Sequence, residues 1–297
     1  MLYNRDKELG KLIIQLAPTG IVPTKSMNPS VPVTPDEIIR DTCEAYRMGV
    51  SSVHVHARDE KGSATNRKDI YEQIISGIRK TCPDIIICAS TSGRIPQGNR
   101  DTVLECAPDA ASLTLGSVTF RNSVSTNSFD EITRLALKMS EKGIKPELEI
   151  FEAGFVNTAR YLERKGILKA PLHFNLIMGS LGSIPGDIRD MVHLVESLPP
   201  GSTWAAGGIG RFQTQVTAAA ILAGGHVRIG LEDSIYREYR ERILTTNLEL
   251  VGQVIEIARC LGREIASPRE AREILSLRNP HSTGVPEKNS VTRRTPE

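Results

Sequence analysis

Short runs of β-branched and other apolar residues alternate along the chain with stretches whose apolar positions recur every three or four residues. Eight such runs are recognisable, at 12–18, 52–58, 85–90, 110–116, 146–152, 172–178, 202–210 and 226–233. They predict eight strands with helices between them. Their starts lie roughly 30 residues apart, the length of one βα unit, and eight parallel strands close a barrel. An open doubly wound sheet gives the same alternation, more commonly with about five or six strands. The predicted class is therefore α/β, a (β/α)8 TIM barrel occupying residues 1–277 as a single domain.

Local signals place the helices. Thr34-Pro35-Asp36-Glu37 combines an N-cap threonine, a proline at the first helical position and a glutamate three residues after the cap, so the first helix starts there. Thr246-Asn247-Leu248-Glu249 repeats the capping box ahead of Val251, Val254, Ile255, Ala258 and Leu261, with Gly262 as the stop. That helix is expected to close the barrel. Beyond Leu277, three prolines and no apolar period predict that 278–297 is a mobile tail or a segment ordered only by a neighbouring subunit. Between the first strand and Thr34 runs GIVPTKSMNPSVPV, which cannot be helical and exceeds the usual βα loop. In a barrel such loops build the catalytic face, so it is a candidate lid or substrate wall.

Composition narrows the class of partner. With 37 basic against 35 acidic residues and a net charge of +2, the chain has no basic stripe for a nucleic acid. No apolar run is long enough to span a bilayer, and MLYNRDKELG has charges where a signal peptide has its apolar stretch. A cytoplasmic location is expected. Five cysteines, Cys43, Cys82, Cys88, Cys106 and Cys260, are never spaced CxxC, which argues against disulfides and a cysteine-ligated zinc and predicts buried thiols.

Polar residues at strand ends carry the candidate chemistry. His54 and His56 in VHVHARD face the same way from the end of the second strand, as a metal pair or as two histidines bonded to backbone. A third ligand is available in HVRIGLEDS: strand eight neighbours strand one, so Glu232 can reach across the mouth to both imidazoles. Asp233, held by Arg228, is a candidate proton acceptor, or else the N-cap of an eighth helix. Ser90, Thr91 and Ser92 end strand three, Ser112 and Thr114 lie in strand four, and Glu147 and Glu149 share a face of strand five. Two acids inside a barrel need hydrogen bonds or a metal. The glycines of TWAAGGIGR serve either close backbone packing or a phosphate.

Taken together, APTG, TPDEI, VHVHARD, STSGR, ASLTLGS, PELEIFEAG, TWAAGGIGR, GGHVRIGLED and TNLELV resemble the β-keto acid cleavage enzymes from about Leu12 to Leu277. The resemblance implies a zinc-dependent barrel that takes a β-keto acid and acetyl-CoA and returns acetoacetate and a new acyl-CoA. It implies one Zn2+ per chain on His54, His56 and Glu232, proton abstraction by Asp233 with Arg228 and Ser90, and a homo-oligomer, tetrameric in the family. Thr91, Ser112, Thr114 and Glu149 are then substrate-binding residues, Ser112 standing where the family's reference member has threonine.

Two departures bear on specificity. The reference member has a glutamate for the substrate's ammonium two residues after the first-strand TG, where this chain has Val22. Val22 should line the distal end of the pocket and favour a short, uncharged chain. STSGR introduces Arg94, which pairs with a distal carboxylate, pairs with a CoA phosphate, or is solvated. Two other readings are a metal-dependent barrel hydrolase and a non-catalytic ligand-binding barrel. The hydrolase carries HxH on strand one with later strand-end histidines; here the motif is on strand two, and His173 and His226 lie near strand starts.

Overall fold

The structure, a computed structural model, describes residues 9–95 and 99–277; the expected tail at 278–297 lies outside the described residues. Eight parallel strands form a closed barrel: β1 (Ile14–Leu16), β2 (Ser52–Val55), β3 (Ile86–Ala89), β4 (Ala110–Thr114), β5 (Lys145–Ile150), β6 (His173–Met178), β7 (Thr203–Gly208) and β8 (His226–Ile229). Each pairs with its sequence neighbours, and β1 closes the ring on β8 with Gln15 opposite Arg228. Seven of the expected runs contain one of these strands, and β5 begins one residue ahead of its run; all but the run of β6 extend past the last residue of the strand, and these extensions form the mouth. The fold is a (β/α)8 barrel.

Helices α1 (Pro35–Arg47), α2 (Lys68–Thr81), α3 (Phe129–Lys142), α4 (Ala153–Arg164), α5 (Ile188–Glu196), α6 (Gln213–Leu222) and α7 (Asn247–Cys260) surround the strands. Both expected capping boxes form: Thr34 accepts from the Glu37 amide and Thr246 from the Glu249 amide. Between β3 and β4 a 3-10 segment, Arg100–Cys106, takes the helical place among the described residues. An eighth helix, α8 (Pro268–Ile274), was not anticipated, although Ser267-Pro268-Arg269-Glu270 repeats the same capping box. It lies beneath the barrel, where Ala271 and Leu275 pack with Ile13, Ile86 and Ala266.

The main apolar core lies between the strands and the helices. The barrel interior is more polar. Gln15 Nε2 donates to Glu147 Oε2 at 2.5 Å, and Asn175 Nδ2 donates to Glu147 Oε1 at 3.0 Å and to Gln15 Oε1 at 3.2 Å. These bonds satisfy the acid that the sequence puts in the barrel centre. Cys43, Cys82 and Cys88 are buried thiols as expected, but Cys106 is half-buried and Cys260 exposed, each at the last position of its helical segment. Among the described residues no helix is long and apolar enough to cross a membrane.

Candidate active site

The C-terminal ends of the strands open into a cavity of about 970 Å³, within the size range of small-molecule sites. The long loop after β1 forms one wall, with Val22 53% exposed on it. Arg58 pins this loop, donating from Nε to the Gly20 carbonyl at 2.8 Å and from Nη2 to the Pro23 carbonyl at 3.0 Å. Asn28 ties its far end to the carbonyls of Ile235 and Thr245.

At the floor, His54 Nε2 and His56 Nε2 are 3.3 Å apart, and His56 Nε2 is 3.2 Å from Glu232 Oε1. Two glycines permit this convergence across β1. A Cβ on Gly20, at φ +61°, would stand 2.4 Å from Glu232 Cγ; one on Gly230, at φ +154°, would stand 2.1 Å from the Ala17 carbonyl oxygen. Arg228, fully buried, bridges both neighbouring acids. Its Nη2 is 2.7 Å from Glu232 Oε1, while Nε and Nη2 donate to Asp233 Oδ2 and Oδ1 at 2.8 and 3.1 Å. No helix begins at Asp233; its carbonyl accepts from the Gly210 amide, and the antiparallel pair Tyr236–Glu238 and Ile243–Leu244 follows.

These contacts set the charge states. Burial alone would raise Glu232, but the charge of Arg228, with the hydrogen bond from His56, outweighs it and holds the carboxyl well below its ordinary range. For Asp233 burial wins over Arg228, and the carboxyl is raised. His54 is pushed well below the usual imidazole range by burial and by Arg228, so it is neutral, the form that binds metals. Glu149 accepts from the Thr114 hydroxyl and is lifted to about 7, mainly by burial.

The residues present fit a divalent ion. Two donors bonded to one tetrahedral zinc at about 2.0–2.1 Å stand roughly 3.3 Å apart, the spacing found between neighbouring donors here. Nδ1 of His54, Nδ1 of His56 and Oε2 of Glu232 are buried without hydrogen-bond partners among the described residues. A second cluster, His54 with Cys88 and Glu147, lies directly beneath. Its acid already accepts two amide donors, and burial with two nearby carboxylates raises the Cys88 thiol far above its usual range, which disfavours the thiolate.

His56, Ser90, Arg94, Thr114, Glu149, Arg228, Glu232 and Asp233 border the cavity together with Val22. Thr91 and Ser112, expected to bind substrate, are not among the residues that border the cavity. Both are buried and bonded to each other: the Thr91 amide donates to Ser112 Oγ at 3.1 Å and the Thr91 hydroxyl to the Ser112 carbonyl at 2.6 Å. Gly208 and Gly207 serve packing: a Cβ on the former would meet the Phe212 carbonyl oxygen at 2.3 Å and one on the latter the Arg228 side chain at 3.2 Å. Cavity-lining residues that sequence reasoning missed, among them Phe120, Arg121, Tyr236 and Tyr239, lie on or beside two short antiparallel pairs inserted after β4 and β8. Their sequences lack a tight-turn signal.

Fold and site together define a (β/α)8 barrel protein with a preformed polar pocket at its strand ends. A 21% identical structure, that of apo ObcA, has the same fold, with a TM-score of 0.73 over 84% of this chain and 66% of that one. Residues 11–277 match the model of the beta-keto acid cleavage enzyme family, and the chain belongs to that family. It is similar to a 3-keto-5-aminohexanoate cleavage enzyme of Fusobacterium nucleatum, 39% identical over 90% of this chain and 98% of that one. A 3-oxoadipate:acetyl-CoA acetyltransferase of Cupriavidus necator is 36% identical over 89% and 94%.

Proposed function

We propose that this protein condenses a short β-keto acid with acetyl-CoA and releases acetoacetate and a new acyl-CoA, using one zinc ion held by His54, His56 and Glu232. The observation that carries this reading is the division of labour around buried Arg228. One adjacent carboxylate is turned toward two imidazoles, and the other is fixed in a two-point pair at the cavity wall.

When bound, the ion supplies Lewis acidity for the ketone and carboxylate oxygens of the keto acid, which acidifies the methylene between them. Asp233 is the base. Burial raises its affinity for a proton, and Arg228 fixes its orientation while leaving each oxygen a lone pair. The carbanion left by proton removal attacks the acetyl thioester, forming a carbon–carbon bond and expelling CoA as its thiolate. The thiolate then adds to the original ketone. The bond between that carbon and the former methylene breaks, and the methylene carbon recovers its proton from Asp233. Ser90 and Glu149, with Thr114 behind it, border this space as hydrogen-bonding groups for the changing oxygens.

The two relatives are named for keto acids that differ at the far end, an amino group in one and a second carboxylate in the other. Val22, beside Ile21 and Pro23, offers an ammonium no counter-charge, so an uncharged short chain fits that wall better than an aminated one. The test is a panel of β-keto acids incubated with acetyl-CoA and zinc-loaded protein, with products read by mass. New acyl-CoA and acetoacetate in equal amounts support the reading. Formation of neither across the panel refutes it.

A further inference from the structure

Arg94 is built differently from the buried arginines Arg58, Arg100 and Arg263. Arg58, Arg100 and Arg263 bond their terminal nitrogens to protein carbonyl, amide or carboxylate oxygens. Arg94 does not. Its Nε donates to the Ser123 hydroxyl at 3.1 Å, and the Phe120 ring lies under the guanidinium plane, 4.2 Å from Cζ to centroid. Phe151 in turn braces Phe120 edge-on, with ring centroids 5.6 Å apart. One edge and one face of the guanidinium are thus fixed by the insert after β4. The Nη pair has no hydrogen-bond or ion-pair partner among the described residues, and the side chain borders the cavity.

A half-buried guanidinium without an ion-pair partner is unfavourable, and burial lowers its pKa despite the more distant charge of Glu232. The acids bordering the same cavity do not balance it. Glu232 and Asp233 are paired with Arg228, and Glu149 titrates near neutrality. Exposed Arg121 and Arg211 add further positive charge at the rim. A planar, oriented fork with two open donors matches two oxygens of one anion.

We propose that Arg94 is an anion receptor for one of the two reactants, its Nη pair taking two oxygens of a carboxylate or phosphate. The anion is either a second carboxylate at the far end of the β-keto acid or a phosphate of coenzyme A. This assignment rests on the reaction proposed above, and its test separates the two sources. Wild type and Arg94→Gln are assayed with a six-carbon β-keto diacid and its six-carbon monoacid, each against acetyl-CoA and against acetyl-pantetheine, which lacks every phosphate.

A loss of about tenfold or more in kcat/KM confined to the diacid, whichever thioester is used, assigns the carboxylate. The same loss confined to acetyl-CoA, whichever acid is used, assigns the phosphate. Arg94→Lys should recover only part of either, since it keeps the charge without the fork. Unchanged kinetics in Arg94→Gln, or an equal loss on all four pairs, overturns the proposal. If wild type turns over none of the pairs, the reaction is wrong but Arg94 is still tested by calorimetry with CoA and with adipate as probes. Weaker binding of one probe to Arg94→Gln then supports the receptor, and equal binding of both to the two proteins overturns it.

Discussion

Alanine at Gly20 carries two separable penalties. The residue has φ +61°, a left-handed conformation that costs a non-glycine residue roughly 1–2 kcal/mol. A Cβ there would also lie 2.4 Å from Glu232 Cγ and 3.0 Å from its Cβ and Cδ, well inside the ~3.5–4.0 Å of carbon contact. The glutamate must therefore move, yet its carboxylate is held at 3.2 Å from His56 and 2.7 Å from Arg228. Gly143 provides the control, because it has φ +69° and nothing within 4 Å of where a methyl group would stand. Gly143→Ala should destabilise the metal-free protein by about 1–2 kcal/mol, and Gly20→Ala by more than that, measured by denaturant titration. Only Gly20→Ala should release zinc more readily, by about tenfold or more in chelator competition, the scale on which displaced supporting groups weaken metal sites. Zinc affinity equal to wild type in Gly20→Ala would refute the claim that Glu232 is needed where Gly20 lets it pass.

Asp233→Asn should keep zinc and fold but lose at least about two orders of magnitude in turnover, because the amide cannot accept the proton; loss of zinc instead would make Asp233 a ligand. Glu147 Oε1 lies 3.8 Å from His54 Nδ1, so Glu147→Gln should weaken zinc binding by about 10–100-fold, and unchanged affinity in chelator competition would leave Glu147 a purely structural acid. Val22→Glu should raise kcat/KM for a 5-amino keto acid relative to its unsubstituted analogue by at least about tenfold; an unchanged ratio would remove Val22 from the pocket wall. His173 and His226, buried at the closed end of the barrel, have pKa values lowered from 6.5 to about 3, chiefly by burial. Above 6.5 both are neutral in either state, but below it the unfolded chain binds protons that the folded chain refuses. Stability should therefore fall by roughly 4 kcal/mol between pH 7 and 5 from this pair, and a flat denaturation midpoint over that range would contradict their neutral burial.

Why some residues were readable and others not follows from the range of the forces involved. Thr34 and Glu37, or Thr246 and Glu249, satisfy amides within a single turn, so four consecutive residues suffice to announce the helix. Ser267 and Glu270 carry the same signal, but α8 follows the eighth βα unit, and a pattern of eight repeats has no place for it. His54 and His56 share a face by the two-residue strand period, and Glu232 comes within reach once β8 is known to neighbour β1. Thr91 and Ser112 show the opposite case. Both have the right chemistry near a strand end, but the register of β3 against β4 joins them to each other beneath the cavity.

By itself, then, the sequence determined the eight strand runs, the caps of α1 and α7, and the histidine and acid motifs at the mouth, because each depends on a period or a spacing of a few residues. Tertiary structure alone decided that Arg228 holds both acids at once, that Gly20 clears the path of Glu232, and that Gln15 and Asn175 share the burden of Glu147. It also decided that Phe120 and Ser123 hold one face and one edge of Arg94, whose outer fork has no partner among the described residues. These contacts join strands and loops far apart in the chain, and their distances follow from barrel closure and loop packing, which no local pattern encodes.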